Sequence, residues 1–297
     1  MPPAAGDFAG VVPVASLAPL AAAFEGFILD QWGVLHDGTH PYPGAAECLT
    51  RLRASGKRIV VLSNSAKREA DNLGLMKRMG FDTGLIDRLV SAGEDARHAL
   101  EFPVAPFHRG LGRRCYVFTR GGDRSLLEGI GLDLVETVEG ADFLAVIGSD
   151  SPQRNAEDYE TDLRTGISRG LPMVCANPDL ARFAPAGLIE AAGVLAQRYE
   201  ALGGAVFYHG KPYPPIYRSC LTALGCTPDK VLAIGDSMEH DVLGASRVGI
   251  RSALIPGGVH APALGIAWGQ LPVRERWQAF AANAPALPQY LLSAFNW

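Results

Sequence analysis

The chain has 297 residues, of which 48% are hydrophobic and 20% are charged, a composition typical of well-packed globular proteins rather than disordered ones. This length exceeds that of most single domains, so we expect two domains or one domain with a large insertion. The net charge is −4 and no long block of like charge occurs, which argues against nucleic acid or an anionic membrane as a partner.

The cysteines and the amino terminus bear on the cellular compartment. The five cysteines form no CxxC pair and several lie in apolar runs, so we expect free thiols in a reducing cytosol rather than disulfides or a zinc site. Residues 1–23 carry no basic segment ahead of their apolar stretch, unlike a signal peptide. No apolar run approaches the roughly 20 residues needed to span a bilayer. We therefore expect a soluble, cytoplasmic protein.

The first ninety residues alternate helix and strand patterns. The first strong strand ends at Asp30, and the β-branched strand that follows it leads into Ser63. The predicted elements are a helix over 15–25, a strand over 27–30, a helix over 45–54, a strand over 58–62 and a helix over 67–79. Strand, helix, strand, helix is typical of the α/β class with a doubly wound parallel sheet, which we predict here.

The middle of the chain repeats this alternation and is predicted to be a second α/β domain. Its predicted elements are helices over 94–100, 123–128 and 156–168 and strands over 114–119, 143–147 and 171–175. A polar break follows at 176–179. We place this inserted domain at residues 92–186.

The remaining chain is predicted to return to the first domain, which then comprises residues 1–91 and 187–297. Its predicted elements are helices over 188–202 and 215–224 and strands over 205–208, 230–234 and 251–255. The tail over 277–297 is apolar with a proline break, and we expect it to pack against the core.

Polar side chains stand at or just beyond the carboxyl ends of four predicted strands: Asp30, Ser63, Lys211, and Asp236 with Asp241 behind it. Alone, an aspartate at a strand end is as consistent with a turn cap as with a site. In a parallel sheet, however, these ends share one edge, and ligands bind there. Several carboxylates at one edge need a cation between them, and hard oxygen ligands favour Mg²⁺.

The same edge offers groups for a phosphoryl ligand. A lysine and a hydroxyl can bind phosphoryl oxygens, and backbone N–H groups in the loops around Gly33, Asn64 and Ser65 add further donors. This set of groups suits phosphoryl transfer by covalent catalysis with an aspartate as the nucleophile.

On these residues the chain resembles the haloacid dehalogenase superfamily. Within it, the chain is similar to the class IIA, NagD-like phosphatases, in which a large α/β cap domain (the C2 type) is inserted into a Rossmann-like core. Four motifs match in order and cover nearly the full length: Asp30, Ser63, Gly210-Lys211-Pro212 and Gly235-Asp236 with Asp241. Each motif alone is weak, whereas four motifs, each at a strand end, are unlikely to match by chance.

The resemblance implies a role for each of these residues. Asp30 corresponds to the nucleophile, Ser63 to the phosphate-binding hydroxyl and Lys211 to the lysine that stabilises the phosphate. Asp30 would attack phosphorus to give an aspartyl-phosphate that water then hydrolyses. The implied substrate is a small phosphomonoester such as a sugar phosphate.

The resemblance also implies the cofactor and its ligands. Mg²⁺ would be held by the carboxylates of Asp30 and Asp236 and by the backbone carbonyl of Trp32, and Asp241 would orient a bound water. Neutralisation of charge on the transferring group is expected to be the dominant catalytic effect.

The expected substrate contacts come from two regions. The turn at 177–179 resembles a cap segment that faces the active site in this subclass, so Asn177 and Asp179 are candidate substrate-binding residues. Asn64, Ser65 and Trp32 are candidates beside the nucleophile. Cap domains of this kind often associate, so the resemblance is compatible with a homo-oligomer.

One position departs from the family pattern. Most phosphatases of the family carry a second aspartate, a general acid and base, two residues after the nucleophile, and here that residue is Trp32. Loss of such a group typically costs about 10²–10⁴-fold in rate. Three explanations remain open: the leaving group needs no protonation, His36 or Asp37 substitutes, or the protein binds phosphoesters with little turnover. For His36 itself, an ordinary loop histidine is the favoured interpretation.

We predict a Mg²⁺-dependent phosphatase of small phosphorylated metabolites. The alternative is a catalytically weak phosphometabolite-binding or regulatory protein of the same fold.

Overall fold

The computed structural model describes residues 8–184 and 187–297, which form two compact units. The first unit comprises the described residues up to Ser63 together with 70–90 and 211–297. The second unit comprises residues 64–69 and 91–210. Within the described ranges, no helix is both long and apolar enough to cross a lipid bilayer.

The amino-terminal part of the chain alternates strands and helices. Its elements are β1 (Val12–Val14), α1 (Ala18–Ala21), β2 (Gly26–Asp30), α2 (Ala45–Ala54), β3 (Arg58–Ser63), α3 (Glu69–Arg78) and β4 (Arg88–Ser91). Strands β2 and β3 are apolar and β-branched in their interiors and are buried along almost their whole length. Helix α2 buries Cys48, Leu49 and Leu52, which recur at helical spacing, and the chain leaves it through Gly56 at φ +71°.

The central part of the chain forms most of the second unit. Its elements are α4 (Ala92–Glu101), α5 (Pro106–Arg109), β5 (Arg114–Phe118), β6 (Asp133–Val135), β7 (Phe143–Val146), α6 (Glu160–Ser168), β8 (Met173–Cys175), β9 (Ala181–Ala184), β10 (Gly187–Glu190), α7 (Gly193–Ala201) and β11 (Val206–Tyr208). The predicted helix over 123–128 is only a 3₁₀ turn at Ser125–Leu127. The antiparallel pair β9–β10 was not predicted from the sequence.

The carboxyl-terminal part completes the first unit. Its elements are α8 (Pro214–Leu224), β12 (Val231–Gly235), α9 (Leu243–Ser246), β13 (Arg251–Leu254), α10 (Ala261–Leu264), α11 (Arg274–Ala281) and β14 (Tyr290–Leu292). A π-helical turn at Met238–Val242 links β12 to α9. The tail packs against the core as predicted, because Trp277, Leu291 and Phe295 are fully buried.

The first unit is built on a seven-stranded sheet in the order β1-β14-β13-β12-β2-β3-β4. Strand β2 runs parallel to both of its neighbours, β12 and β3. Phe27 and Leu29 belong to one hydrophobic cluster and Ile28 to another, so both faces of β2 are covered. The central strands are therefore buried and end at one edge of the sheet, where β2 ends in Asp30 and β3 in Ser63.

The second unit is built on a five-stranded sheet in the order β11-β8-β7-β5-β6, and all of its pairs are parallel. Here the structure differs from the predicted boundary, because residues 187–210 group with the second unit rather than with the first. The physical reason is that β11 pairs with β8, while Leu195 and Tyr199 of α7 lie in the core of the second unit. A helix followed by a three-residue strand has the same sequence pattern whichever sheet it joins.

Candidate active site

Three aspartates come together at the carboxyl edge of the first sheet. Asp30 is the last residue of β2, Asp236 follows β12 directly, and Asp241 lies on the π-helical turn behind it. All three are buried, and one carboxylate oxygen from each lies within 4.8 Å of the others. The predicted convergence of strand ends therefore occurs in the first unit.

Backbone N–H groups hold these carboxylates in place. The N–H of Gln31 donates to Asp30 Oδ1 at 2.7 Å, and the N–H of Ser237 donates to Asp241 Oδ2 at 3.1 Å. Asp236 Oδ2 accepts from the N–H of Val259 at 2.9 Å. Hydrogen bonds to the charged form favour ionised carboxylates, so this loop geometry suits an anionic cluster.

Two glycines allow the backbone to approach Asp236 closely. Gly33 has φ +77°, and a Cβ at either Gly33 or Gly258 would overlap the Asp236 carboxylate. Glycine is therefore required at position 33 for two reasons: a side chain would overlap Asp236, and the left-handed backbone conformation is unfavourable for other residues. The loop over Asp30 and the loop after β13 close on the same carboxylate.

Lys211 lies among these carboxylates. Its Nζ is 2.7 Å from Asp30 Oδ1 and 2.8 Å from Asp241 Oδ1, and the residue is only 3% exposed. Burial and the carboxylates of Asp241 and Asp236 raise the pKa of Asp30 well above its usual range, although the Lys211 ammonium opposes that shift. One ammonium does not neutralise three carboxylates, so the net negative charge of the cluster favours binding of a further cation.

The donor set fits a hard divalent cation. Buried carboxylate oxygens at this spacing are the ligands that Mg²⁺ and Ca²⁺ prefer, and they offer neither thiolate nor imidazole for a softer metal. Asp30 and Asp236 can supply carboxylate oxygens from the ends of the neighbouring parallel strands β2 and β12. The predicted use of the Trp32 backbone carbonyl stays a prediction.

Ser63 ends β3 beside the nucleophile candidate. Asp30 is the register partner of Leu62, so Ser63 lies one residue further along the neighbouring strand at the same edge. The residue is buried at 2% exposure. Ser63 therefore lies at the same sheet edge as Asp30, and its phosphate-binding role stays a prediction.

Trp32 and His36 pack together in the loop that follows β2. Their rings meet edge to face with centroids 5.4 Å apart, and Trp32 is 36% exposed whereas His36 is fully buried. His36 Nδ1 accepts from the N–H of Gly38 at 2.9 Å, and burial lowers the pKa of His36 to about 4. Its Nε2 has no hydrogen-bond partner among the described residues.

Asp37, the other residue considered as a substitute acid, is engaged in the turn of this loop. Its Oδ1 accepts from the N–H groups of Thr39 at 2.8 Å and His40 at 2.7 Å. This is the ordinary pattern of an aspartate that stabilises a turn.

The remaining predicted residues lie in the second unit. Asn64 Nδ2 donates to Asp179 Oδ1 at 2.7 Å, and Asn177 Oδ1 accepts from the N–H of Asp179 at 3.3 Å. The Ser65 hydroxyl accepts from the N–H of Lys67 at 3.1 Å. Asn64, Asn177 and Asp179 are thus brought together, and their contact with substrate stays a prediction.

Sequence reasoning missed two residues that support the cluster. Tyr217 is buried, and its hydroxyl is 3.1 Å from the backbone carbonyls of both His240 and Asp241, so it steadies the π-helical turn. Val259 holds Asp236 through its backbone N–H. In the sequence, the adjacent Gly257-Gly258 pair indicates only a turn near Val259, and no sequence signal identifies Tyr217.

Comparison with known proteins decides the family. The sequence-family model of the haloacid dehalogenase-like hydrolases matches residues 27–133. A second family model, also described as haloacid dehalogenase (HAD) hydrolase-like, matches residues 208–273. A crystal structure of a haloacid dehalogenase-like hydrolase from Brucella suis 1330 is 30% identical, covers 95% of this chain and 99% of its own, and superposes with a TM-score of 0.79. The chain belongs to the haloacid dehalogenase superfamily.

Other members show where the chain stands within this superfamily. Ribonucleotide monophosphatase NagD from Escherichia coli K12 is 25% identical over 242 residues, which is 78% of this chain and 87% of NagD. A glycerol phosphate phosphatase from Mycobacterium tuberculosis, solved in complex with magnesium, shares the fold at 22% identity with a TM-score of 0.67, covering 92% of this chain and 75% of its own. The predicted NagD-like haloacid dehalogenase family, the α/β fold class and the assignment as a hydrolase are confirmed.

Proposed function

We propose that this haloacid dehalogenase-like hydrolase is a Mg²⁺-dependent phosphatase of small phosphorylated metabolites. The observation that carries the proposal is the buried carboxylate–lysine cluster, defined as Asp30, Asp236, Asp241 and Lys211, at the carboxyl edge of the first sheet. NagD, named as a ribonucleotide monophosphatase, and the glycerol phosphate phosphatase both act on small phosphorylated molecules. This supports a small phosphomonoester as substrate.

In this proposal Asp30 is the nucleophile. One of its carboxylate oxygens attacks phosphorus while the bond from phosphorus to the ester oxygen breaks, and the leaving group departs with the electron pair. Water then attacks phosphorus of the aspartyl-phosphate, which releases phosphate and restores the carboxylate of Asp30. The backbone N–H of Gln31, at 2.7 Å from Asp30 Oδ1, orients the carboxylate for this attack.

The other cluster residues manage charge. Mg²⁺ held by Asp30, Asp236 and the Trp32 carbonyl would supply positive charge to the transferring phosphoryl group and help to keep Asp30 ionised. Lys211 offers its ammonium to the phosphoryl oxygens, and Asp241, at 2.8 Å, holds that ammonium in position. The Ser63 hydroxyl binds a further phosphoryl oxygen.

The second unit is proposed to select the substrate. It corresponds to the predicted cap, with its boundaries at residues 64–69 and 91–210 rather than at 92–186. The hydrogen-bonded group of Asn64, Asn177 and Asp179 offers amide and carboxylate atoms suited to a polar substrate such as a phosphorylated sugar.

Hydrolysis of p-nitrophenyl phosphate tests the proposal, because this leaving group needs little protonation. We expect Mg²⁺-dependent release of nitrophenol that is removed by EDTA and abolished in Asp30→Asn. The matched control is Asp71→Asn on the exposed side of α3, which should keep wild-type kcat. Turnover by Asp30→Asn comparable to that of the wild type would refute Asp30 as the nucleophile.

The alternative function is a phosphoester-binding protein with little turnover, and Trp32 in place of an acidic side chain is the observation that favours it. Calorimetric titration with phosphate or vanadate in the presence of Mg²⁺ separates the two. Binding of vanadate together with no detectable hydrolysis of p-nitrophenyl phosphate would establish the alternative.

A further inference from the structure

Trp32 is an unusual residue for the place it occupies. It lies between Gln31, whose N–H binds Asp30, and Gly33, which packs against Asp236. At 36% exposure it is the only exposed tryptophan, tyrosine or phenylalanine among the described residues of the first unit. An exposed indole next to a buried carboxylate cluster is available to a ligand of that cluster.

The indole is held in a defined position. Gly38 has φ +99°, and a Cβ at this residue would overlap the six-membered ring of the indole. The fully buried His36 ring meets the indole edge to face at 5.4 Å, and a backbone bridge joins Trp32 to His36. A ring fixed on one side and open on the other is a preorganised surface, which loses little entropy when a ligand packs on it.

In the same loop, the two residues considered as proton donors for the leaving group, His36 and Asp37, are both engaged in the structure of the turn. His36 is fully buried beneath the indole with Nδ1 bound to Gly38 N–H, so its side chain does not reach a ligand. Asp37 Oδ1 accepts two backbone hydrogen bonds within the turn. Lys211 and Asp241 are paired inside the cluster. An ester oxygen released here therefore departs as an anion and takes its proton afterwards from solvent.

We infer that Trp32 is a specificity-determining residue that selects phosphate esters of planar, acidic hydroxyls, namely aryl or enol phosphates. This inference rests on the proposed phosphatase function and deepens it. A phenolate-type or enolate-type leaving group needs no general acid, and its ring or conjugated plane packs on the indole. An alkyl phosphate of the same size satisfies neither condition.

Phenyl phosphate and cyclohexyl phosphate form the decisive pair of substrates, because they match in size and differ in planarity and in the acidity of the alcohol. We expect kcat/KM for phenyl phosphate to exceed that for cyclohexyl phosphate by at least about 100-fold. Across ring-substituted phenyl phosphates, kcat should rise steeply as the phenol becomes more acidic. Equal kcat/KM for the phenyl and cyclohexyl esters would overturn the inference and leave the phosphatase proposal standing.

Variants at position 32 separate packing from acid catalysis. Trp32→Phe keeps an aromatic ring and the backbone carbonyl, and should keep KM for phenyl phosphate within about twofold. Trp32→Ala should raise that KM about fivefold, the size expected for one aromatic stacking contact, with little effect on kcat. A KM unchanged in Trp32→Ala contradicts the packing role.

Trp32→Asp restores a carboxylate at this position. It should raise kcat for cyclohexyl phosphate by about 10²-fold while leaving kcat for p-nitrophenyl phosphate nearly unchanged. Asp37→Asn should change kcat for neither cyclohexyl phosphate nor p-nitrophenyl phosphate. A selective loss of activity on the alkyl ester in Asp37→Asn would identify Asp37 as the acid and overturn the inference. If no phosphate ester is hydrolysed at all, p-nitrophenyl phosphate included, the proposed function itself fails and this inference fails with it.

Discussion

Each unit contains a largely buried polar cluster, and the two clusters differ in how their charge is balanced. In the first unit, the carboxylate–lysine cluster sets three aspartates against one ammonium. In the second unit, His209 Nδ1 lies 2.6 Å from the Asp95 carboxylate, and His209 Nε2 lies 3.0 Å from His108 Nε2. We call Asp95, His209 and His108 the histidine chain.

This difference in charge balance is why one cluster is a candidate site and the other is a structural element. The histidine chain contains a single carboxylate, which is hydrogen-bonded to the His209 imidazole, and His209 is in turn hydrogen-bonded to His108. The carboxylate–lysine cluster has more carboxylates than ammonium groups, and burial together with the carboxylates of Asp241 and Asp236 raises the pKa of Asp30. Unpaired buried charge is costly, so it favours binding of a ligand of opposite charge. A polar network whose hydrogen bonds are nearly all made contributes to the stability of the fold and gains little from a ligand.

Removal of Lys211 should have the largest effect, since it takes away the only ammonium of the cluster. We expect Lys211→Met to lower kcat by about 10³-fold and the free energy of unfolding by about 3–5 kcal/mol. The exposed Lys230, 3.5 Å from Glu25, provides the control, and Lys230→Met should cost less than about 1 kcal/mol. Urea denaturation and p-nitrophenyl phosphate kinetics measure both quantities. Wild-type kcat in Lys211→Met would remove Lys211 from the proposed mechanism.

Acid should act on the histidine chain through His108. Burial and the neighbouring His209 lower the pKa of His108 to about 4 from 6.5 in the unfolded chain. Between these values the unfolded chain binds a proton that the folded protein does not. The stabilisation is therefore fully present above pH 6.5 and is lost as the pH falls towards 4, by about 3 kcal/mol.

Burial also lowers the pKa of His36 to about 4, so the contribution of His108 is measured as a difference between variants. His108→Phe should show a shallower fall in the free energy of unfolding between pH 6.5 and 4 than the wild type. His40→Gln, which changes a largely exposed histidine, should retain the wild-type slope. An identical slope in His108→Phe and the wild type would show that His108 does not contribute.

Magnesium should distinguish the two clusters directly. At a free concentration about 100 times its dissociation constant, Mg²⁺ should raise the free energy of unfolding by about 2.7 kcal/mol. Asp236→Asn should remove this increment, whereas His108→Phe should retain it. Thermal unfolding with Mg²⁺ or with EDTA measures the change, and an equal increment in Asp236→Asn would place the ion elsewhere.

A matched pair of tyrosines gives the smallest expected effect. Tyr217 donates its hydroxyl to a backbone carbonyl behind the carboxylate–lysine cluster, and Tyr199 donates its own to the Leu171 carbonyl at 2.6 Å in the second unit. Replacing either tyrosine by phenylalanine should cost about 1 kcal/mol of unfolding free energy. Only Tyr217→Phe should also lower kcat, because only Tyr217 supports the turn that carries Asp241. Equal kcat in the two variants would show that this turn needs no such support.

Much of the candidate site could be predicted from the sequence because its parts are local features of strand ends. The buried run before Asp30 and the β-branched run before Ser63 identify strands and their carboxyl ends by composition alone. A parallel sheet then brings such ends to one edge, so the convergence of Asp30 and Asp236 followed from the fold class.

The second unit was harder to delimit. The strand Val206–Tyr208 was predicted close to its observed place, but it joins β8 of the second sheet rather than the first. Strand pairing depends on which neighbour is in reach after the whole chain has collapsed, and a three-residue strand contains too little pattern to specify it. The same reason explains why the pair β9–β10 was missed.

By itself the sequence determined the fold class, the family resemblance and the strand ends that bear Asp30, Ser63 and Asp236, since each rests on residues adjacent in the chain. Only the tertiary structure decided that the Val259 N–H binds Asp236, that Asn64 binds Asp179, and that Trp32 is exposed against Gly38. These contacts depend on side-chain directions and loop closures, which no local pattern encodes.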